Sequence, residues 1–176
     1  MLEIDVAMEE SYDEERQRFV VTDSFKVILE HSLVSVSKWE SIWKQAFLGK
    51  SEKSQEQTLS YVKFMILNPD LPPGVFQKLL EKHLQEIKDY VSDSMTATTF
   101  HTDPNAPGSR ETVTSELIYY WMISMNIPVE FETWHLNRLI TLIRVINVKN
   151  SPKKKMSMSD RRALNRQRLS GVNNKG

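Results

Sequence analysis

Apolar residues change their spacing several times along this chain, and each change predicts a different element. Leu2, Ile4 and Val6 alternate with Glu3 and Asp5, the period-two pattern of a strand with one buried face. Phe19–Val21 and Phe25–Leu29 read as two further strands, joined through Thr22-Asp23-Ser24 as a tight turn. The charged stretch Glu9–Glu15 between the first and second strands is expected as an exposed loop. From Ser32 the spacing becomes helical: Val36, Trp39, Ile42, Trp43 and Phe47 recur every three or four residues, with Ser32 as N-cap and Gly49 as the stop. A second helix is expected from Ser54 to Leu67, carrying Leu59, Val62 and Ile66 on one face and ending ahead of Asn68-Pro69. A third, introduced by Pro72-Pro73-Gly74, carries the stripe Phe76, Leu80, Leu84, Ile87 and Val91.

Residues 92–111 form the longest stretch without periodicity, a loop of the length that carries function or mobility. Thr112–Met125 is apolar on nearly every side and is therefore expected at the centre of the core. Asn126-Ile127-Pro128 breaks it, and a last helix, Glu130 to Val148, should turn Phe131, Trp134, Leu139, Leu142 and Val145 inward. The predicted fold class is α+β and mainly α: a small N-terminal antiparallel sheet followed by about five helices in one compact domain, residues 1–150. Ser151-Pro152 ends it. Residues 151–176 are expected as a flexible basic tail, disordered or marginally helical, with Ser159-Asp160 capping a short basic helix over Arg161–Leu169.

Charge sharpens that division. The formal net charge is +0, yet residues 149–176 carry nine positive charges against Asp160 alone, which leaves an acidic body ahead of a basic tail. At 176 residues the chain is long enough for one core without metal or disulfide, and the absence of cysteine excludes thiol catalysis and thiolate metal sites. The acidic N-terminus lacks the pattern of a secretory signal, and no apolar run reaches the ~20 residues of a membrane span, so synthesis in the cytosol without export is expected.

The chemistry-bearing residues do not converge in sequence. His31, His83, His101 and His135 lack ligand spacing, no glycine-rich phosphate cradle occurs, and no nucleophile–base pair stands out. No enzyme activity, cofactor or metal is expected. Trp121, Trp134, His135, Asn137, Arg138 and Arg144 form the most distinctive cluster, open to two readings: aromatic core with snorkelling arginines, or a partner-binding groove lined by Trp and Arg. In the tail, Lys153, Lys154, Lys155, Arg161, Arg162, Arg166 and Arg168 suit phosphate contacts by charge alone, without the aromatic residues of single-strand binders.

The stretches Thr114–Pro128 (TSELIYYWMISMNIP), Trp134–Arg144 (WHLNRLITLIR) and Lys149-Asn150 resemble a family of small proteins from tailed bacteriophages. Leu29–Glu40 (LEHSLVSVSKWE) and Met95–Phe100 (MTATTF) extend the likeness over most of the chain. The resemblance implies a tail assembly chaperone, non-enzymatic, working in the host bacterial cytoplasm. Such a protein coats the aggregation-prone tape measure protein and recruits tail tube protein. It also implies a longer frameshifted form, for which Pro152–Lys155 would be the slippery stretch. The partner-binding candidates are then Trp39, Trp43, Trp121 and Trp134 for apolar contact or the core that shapes it, Arg138 and Arg144 for orientation, and the tail cations as a second contact. A virion structural component, such as a baseplate or neck protein, and a nucleic-acid-binding protein acting through the tail are the alternatives.

Overall fold

The computed structural model describes residues 1–100 and 111–151, together with Met158, Arg162 and Arg166. The fold is α+β and mainly α, with a two-stranded antiparallel sheet at the N-terminus followed, among the described residues through 151, by five α-helices. Strand β1 (Leu2–Asp13) pairs with β2 (Arg18–Leu29) in one long hairpin whose register sets Leu2 opposite Leu29, Ile4 opposite Val27 and Tyr12 opposite Phe19. The expected three strands are thus two, and the expected loop over Glu9–Glu15 is largely strand. Thr22-Asp23-Ser24 is no turn but part of β2, where the register slips between Ala7 and Glu10. Polar residues that suit a turn suit a bulge equally well. The chain instead reverses after Asp13, whose Oδ1 accepts from Glu15 N (3.0 Å) and Arg16 N (3.1 Å), with Gln17 at φ +48°. Charged residues are tolerated in the outer half of the hairpin because it is largely exposed there, whereas Ile4, Val6, Val27 and Leu29 at its base are buried.

Helix α1 (Leu33–Trp43) begins at Ser32, as its sequence predicts, with Ser35 completing a capping box. It stops at Lys44, in the left-handed conformation at φ +53°, ahead of the expected stop at Gly49; Phe47 is buried from the following turn rather than from the helix. Helix α2 (Gln55–Met65) starts at Ser54 with a second capping box: Ser54 Oγ accepts from Gln57 N (3.2 Å) and Gln57 Oε1 accepts from Ser54 N (2.9 Å). Ser54→Ala is expected to cost about 1 kcal/mol. A lower urea midpoint at unchanged m-value would register it. No shift in the midpoint would mean that Gln57 alone holds this helix end.

After α2 the chain runs along the outer edge of β2. Glu30 N donates to Met65 O (2.9 Å), Leu67 N to Ile28 O (2.8 Å) and Ile28 N to Asn68 Oδ1 (2.7 Å), which covers the base of an edge strand. The third expected helix is split into a 3-10 turn, Val75–Lys78, and α3 (Glu81–Ser92). The break falls at Leu79-Leu80, where the His83 imidazole accepts from Leu80 N (3.1 Å) and so supplies the cap that the apolar Leu80 lacks. Helix α4 (Ser115–Ser124) follows Thr114 as N-cap, a 3-10 turn spans Val129–Thr133, and α5 runs over Leu136–Asn150. Phe131 and Trp134 therefore precede the last helix instead of belonging to it.

The core joins the hairpin base to Leu33, Val36 and Trp39 of α1, Val62 and Met65 of α2, Ile118 and Met122 of α4, and Leu136, Leu139 and Ile143 of α5. The chain divides into two compact units, Met1–Ile146 and Asn147–Gly176. In the second, Ser151 donates from both its N and its Oγ to Asn147 O (2.9 and 2.6 Å). Among the described residues no helix is long and apolar enough to cross a membrane.

Candidate protein-binding face

Helix α4 carries the densest apolar sequence in the chain but is not the central buried element that its composition predicts. It buries Ser115, Ile118 and Met122 on one side and leaves Tyr120 64% and Ile123 77% exposed. An all-apolar helix records no direction of burial, so sequence alone assigns it to the centre; the tertiary structure supplies neighbours on one side only. Val129, in the turn that follows, is 59% exposed. The elements here are tied by polar contacts at their flanks. Tyr119 Oη donates to Glu132 Oε2 (2.8 Å), and burial, followed by that carboxylate, pushes the phenol above its ordinary range.

In the segment that follows α4 the Phe131 and Trp134 rings stack at 3.9 Å and 16°, and the Arg138 guanidinium lies 4.2 Å from the Trp134 ring centroid. An arginine held over an indole is pre-ordered, with its donors still available at the rim. Trp121 is half-buried and lines a broad groove of about 1050 Å³ with Leu48, Val113 and Ile140. Arg144 stands 4.1 Å over the Phe100 ring.

The structure therefore separates the residues that the sequence singles out. Trp134 and Arg138 come together, the ring just ahead of α5 and the guanidinium in its first turn. Trp39 is buried, donating Nε1–H to Gln57 O (2.9 Å), and Trp43 is half-buried, donating to Ser60 Oγ (2.8 Å). Both fasten α1 to α2, so they shape the core rather than offer contact. Asn137 Nδ2 donates to Val91 O (3.1 Å) and Asp93 O (2.6 Å), satisfying carbonyls at the end of α3. In the tail, Arg162 and Arg166 are exposed in helical conformation, while Lys153, Lys154, Lys155, Arg161 and Arg168 lie outside the described residues.

His135 faces inward, into a buried polar network that no local motif announces. Its ring lies 5.0 Å from that of His31 and 4.9 Å from that of Tyr90. His31 Nδ1 bonds the Tyr61 hydroxyl, which also meets Ser35 Oγ at 3.4 Å. Tyr90 Oη donates to Glu30 Oε1 (2.6 Å), whose other oxygen pairs with the terminal amine of Met1 (3.0 Å). Burial, reinforced by His135, lowers the His31 pKa to about 3, and burial likewise lowers that of His135. Burial raises the Tyr61 and Tyr90 phenols, so the network is neutral at its centre. Ser35 Oγ donates to Ser32 O (2.8 Å) within the α1 cap, its approach to the Tyr61 hydroxyl joins α1 to α2, and the start of α5 is tied in by Leu136 N donating to His31 O (2.7 Å). Among the described residues no group of three or more His, Asp or Glu side chains is placed to hold a metal ion.

No protein-family model, curated protein or solved structure matches this chain.

Proposed function

We propose that the chain is a non-enzymatic tail assembly chaperone of tailed bacteriophages, acting in the host bacterial cytoplasm. In this reading the face formed by α4 and the turn after it transiently buries apolar segments of the tape measure protein, so that tail tube protein can assemble around a soluble template. The observation that carries the reading is the bare apolar side of α4. Tyr120 and Ile123 lie one turn apart on one helix and face solvent, with the exposed Val129 in the turn that follows, so three large apolar side chains are exposed within ten residues. Trp134 and Arg138 add a ring and a guanidinium of the kinds that dominate protein-binding hot spots.

The paired substitution Tyr120→Asp and Ile123→Asp tests this. Both positions are exposed, so the chain's own stability should change by no more than about 0.5 kcal/mol per site. Co-expressed tape measure protein, soluble with the native chain, should move to the insoluble fraction with the variant. Equal solubility with and without the native chain would end the proposal. Stoichiometric presence in purified virions would favour a baseplate or neck component instead. Binding to DNA that falls steeply with salt and is lost on truncation after Ser151 would move the function to the basic tail, where Arg162 and Arg166 are exposed.

A further inference from the structure

The apolar stripe of α3 does not close against α2. Leu84, Ile87 and Val91 on one side and Leu59 and Val62 on the other line a groove of about 400 Å³, within the volume range of small-molecule sites. Leu59, Leu84 and Val91 remain half-exposed on its walls. One end is aromatic, with the Phe47 and Tyr61 rings 4.1 Å apart. There the Lys53 Nζ lies 4.5 Å from the Phe47 ring centroid and 5.8 Å from that of Trp39. Among the described residues no carboxylate lies within ion-pair distance of this ammonium. Partial burial lowers the Lys53 pKa, as expected of a cation whose lost hydration has no anion to replace it. The other charged groups on the groove are Lys88 and Glu81, so two cations face one anion.

We infer that the groove between α2 and α3 binds an aliphatic carboxylate, its chain between the Leu59–Val62 and Leu84–Val91 walls and its head group on Lys53. The charge at the aromatic end selects an anion over a cationic amphiphile, and the aliphatic walls select a hydrocarbon chain over a polar one. A groove of about 400 Å³ has room for about a dozen groups at the ~30 Å³ of a water, which suits a chain of medium length. The inference stands whether or not the chaperone reading holds.

Decanoate, titrated below its micelle concentration into the full chain, is the probe. Tryptophan fluorescence should change saturably in the native chain and not in a Trp39→Phe variant, because the Trp39 ring lies 5.8 Å from Lys53 Nζ, and calorimetry should give one site. Decyltrimethylammonium, with the same chain length, should bind at least about tenfold more weakly. Lys53→Met keeps the alkyl stem and should lose about tenfold in decanoate affinity along with the preference for the anion. Leu84→Glu, at a half-exposed wall position, should abolish binding while the thermal transition is retained. Absence of saturation, equal affinity for the cationic amphiphile, or an unaffected Lys53→Met variant would overturn the inference. Tighter binding of an acidic, leucine-rich peptide than of decanoate would overturn it as well, by assigning the groove to a protein.

Discussion

Glu40→Ala is expected to destabilise the fold by about 4 kcal/mol, more than any other single change at a polar position. Glu40 is 7% exposed, and its two oxygens serve two distant segments. Oε1 accepts from Phe47 N (2.7 Å), fixing the turn after α1, while Oε2 accepts from Ser115 N (2.7 Å) and Ser115 Oγ (2.5 Å) at the start of α4. A carboxylate at that position also faces the positive end of the α4 dipole. Alanine would leave two backbone N–H groups buried without an acceptor, each costing about 1–3 kcal/mol, and would leave Ser115 Oγ only the longer contact to Glu116 Oε2 (3.4 Å). For a chain of this size the expected fall in Tm is about 12 °C. Glu40→Gln retains one acceptor but turns an amide toward a donor, so it should recover less than half of the loss. A Glu40→Ala variant melting within 3 °C of the native chain, a range worth about 1 kcal/mol, would show that water takes over these contacts.

Glu40 also marks where sequence reasoning reaches its limit. Periodicity places it on α1 beside Trp39, and nothing in the spacing connects it to Ser115, 75 positions away. The start points of α1 and α2 are legible because Ser32 and Ser54 act locally, through bonds within four residues, whereas α4 starts at Ser115 behind its Thr114 cap and not at the expected Thr112. The ends were less so: α1 stops at Lys44 because that residue takes a left-handed conformation no side-chain pattern requires, with Gly49 beyond it an attractive but unused stop. Likewise the break between Lys78 and Glu81 depends on His83 bonding back to Leu80, and the stripe of leucines around it reads straight through. The hairpin was misread for a related reason. Burial ends halfway along it, so its outer strands carry loop-like charge while the backbone pairing continues.

For the candidate site, residue identity was legible and direction was not. The apolar wealth of residues 114–128 is plain in the sequence, but which of Ile118, Tyr120, Met122 and Ile123 face solvent depends on the packing of α4 on its neighbours, α1 among them. Trp134 and Arg138 meet across the start of α5, Trp134 lying extended just ahead of the helix and Arg138 in its first turn, four residues apart in sequence. Trp39 and Trp43, likewise four residues apart, lie on the buried side of α1, which is why equal aromatic character there serves the core. The His31–His135 pair had no signal at all, because it forms only when Leu136 N reaches His31 O (2.7 Å) and the two chain segments bridge.

That pair is expected to make the fold acid-sensitive well above the pH at which ordinary carboxylates protonate. The His31 pKa is about 3 in the folded state against an ordinary value of 6.5, so below pH 6.5 the unfolded chain takes up a proton that the folded chain refuses. Stability from this group is complete above pH 6.5, declines by about 1.4 kcal/mol per unit as pH falls, and is fully lost near pH 3. The total is on the order of 4 to 5 kcal/mol. His135 acts in the same direction, since its pKa is lowered too. The groups facing His31 offer no rescue: Tyr61 and Ser35 bring neutral hydroxyls, Phe47 a ring, and His135 a second base, while the Glu30 carboxylate is taken by Tyr90 and Met1. His31→Gln keeps an acceptor for the Tyr61 hydroxyl and removes the titration. Urea unfolding of the two proteins at pH 7.5 and pH 5.0 separates this from general acid effects, because carboxylates of ordinary pKa remain largely ionised over that range. The native chain should lose about 2 kcal/mol more than the variant between these conditions. Parallel losses in the two proteins would show that the imidazole protonates in place, and the neutral pair would then not be what holds α1, α2 and α5 together.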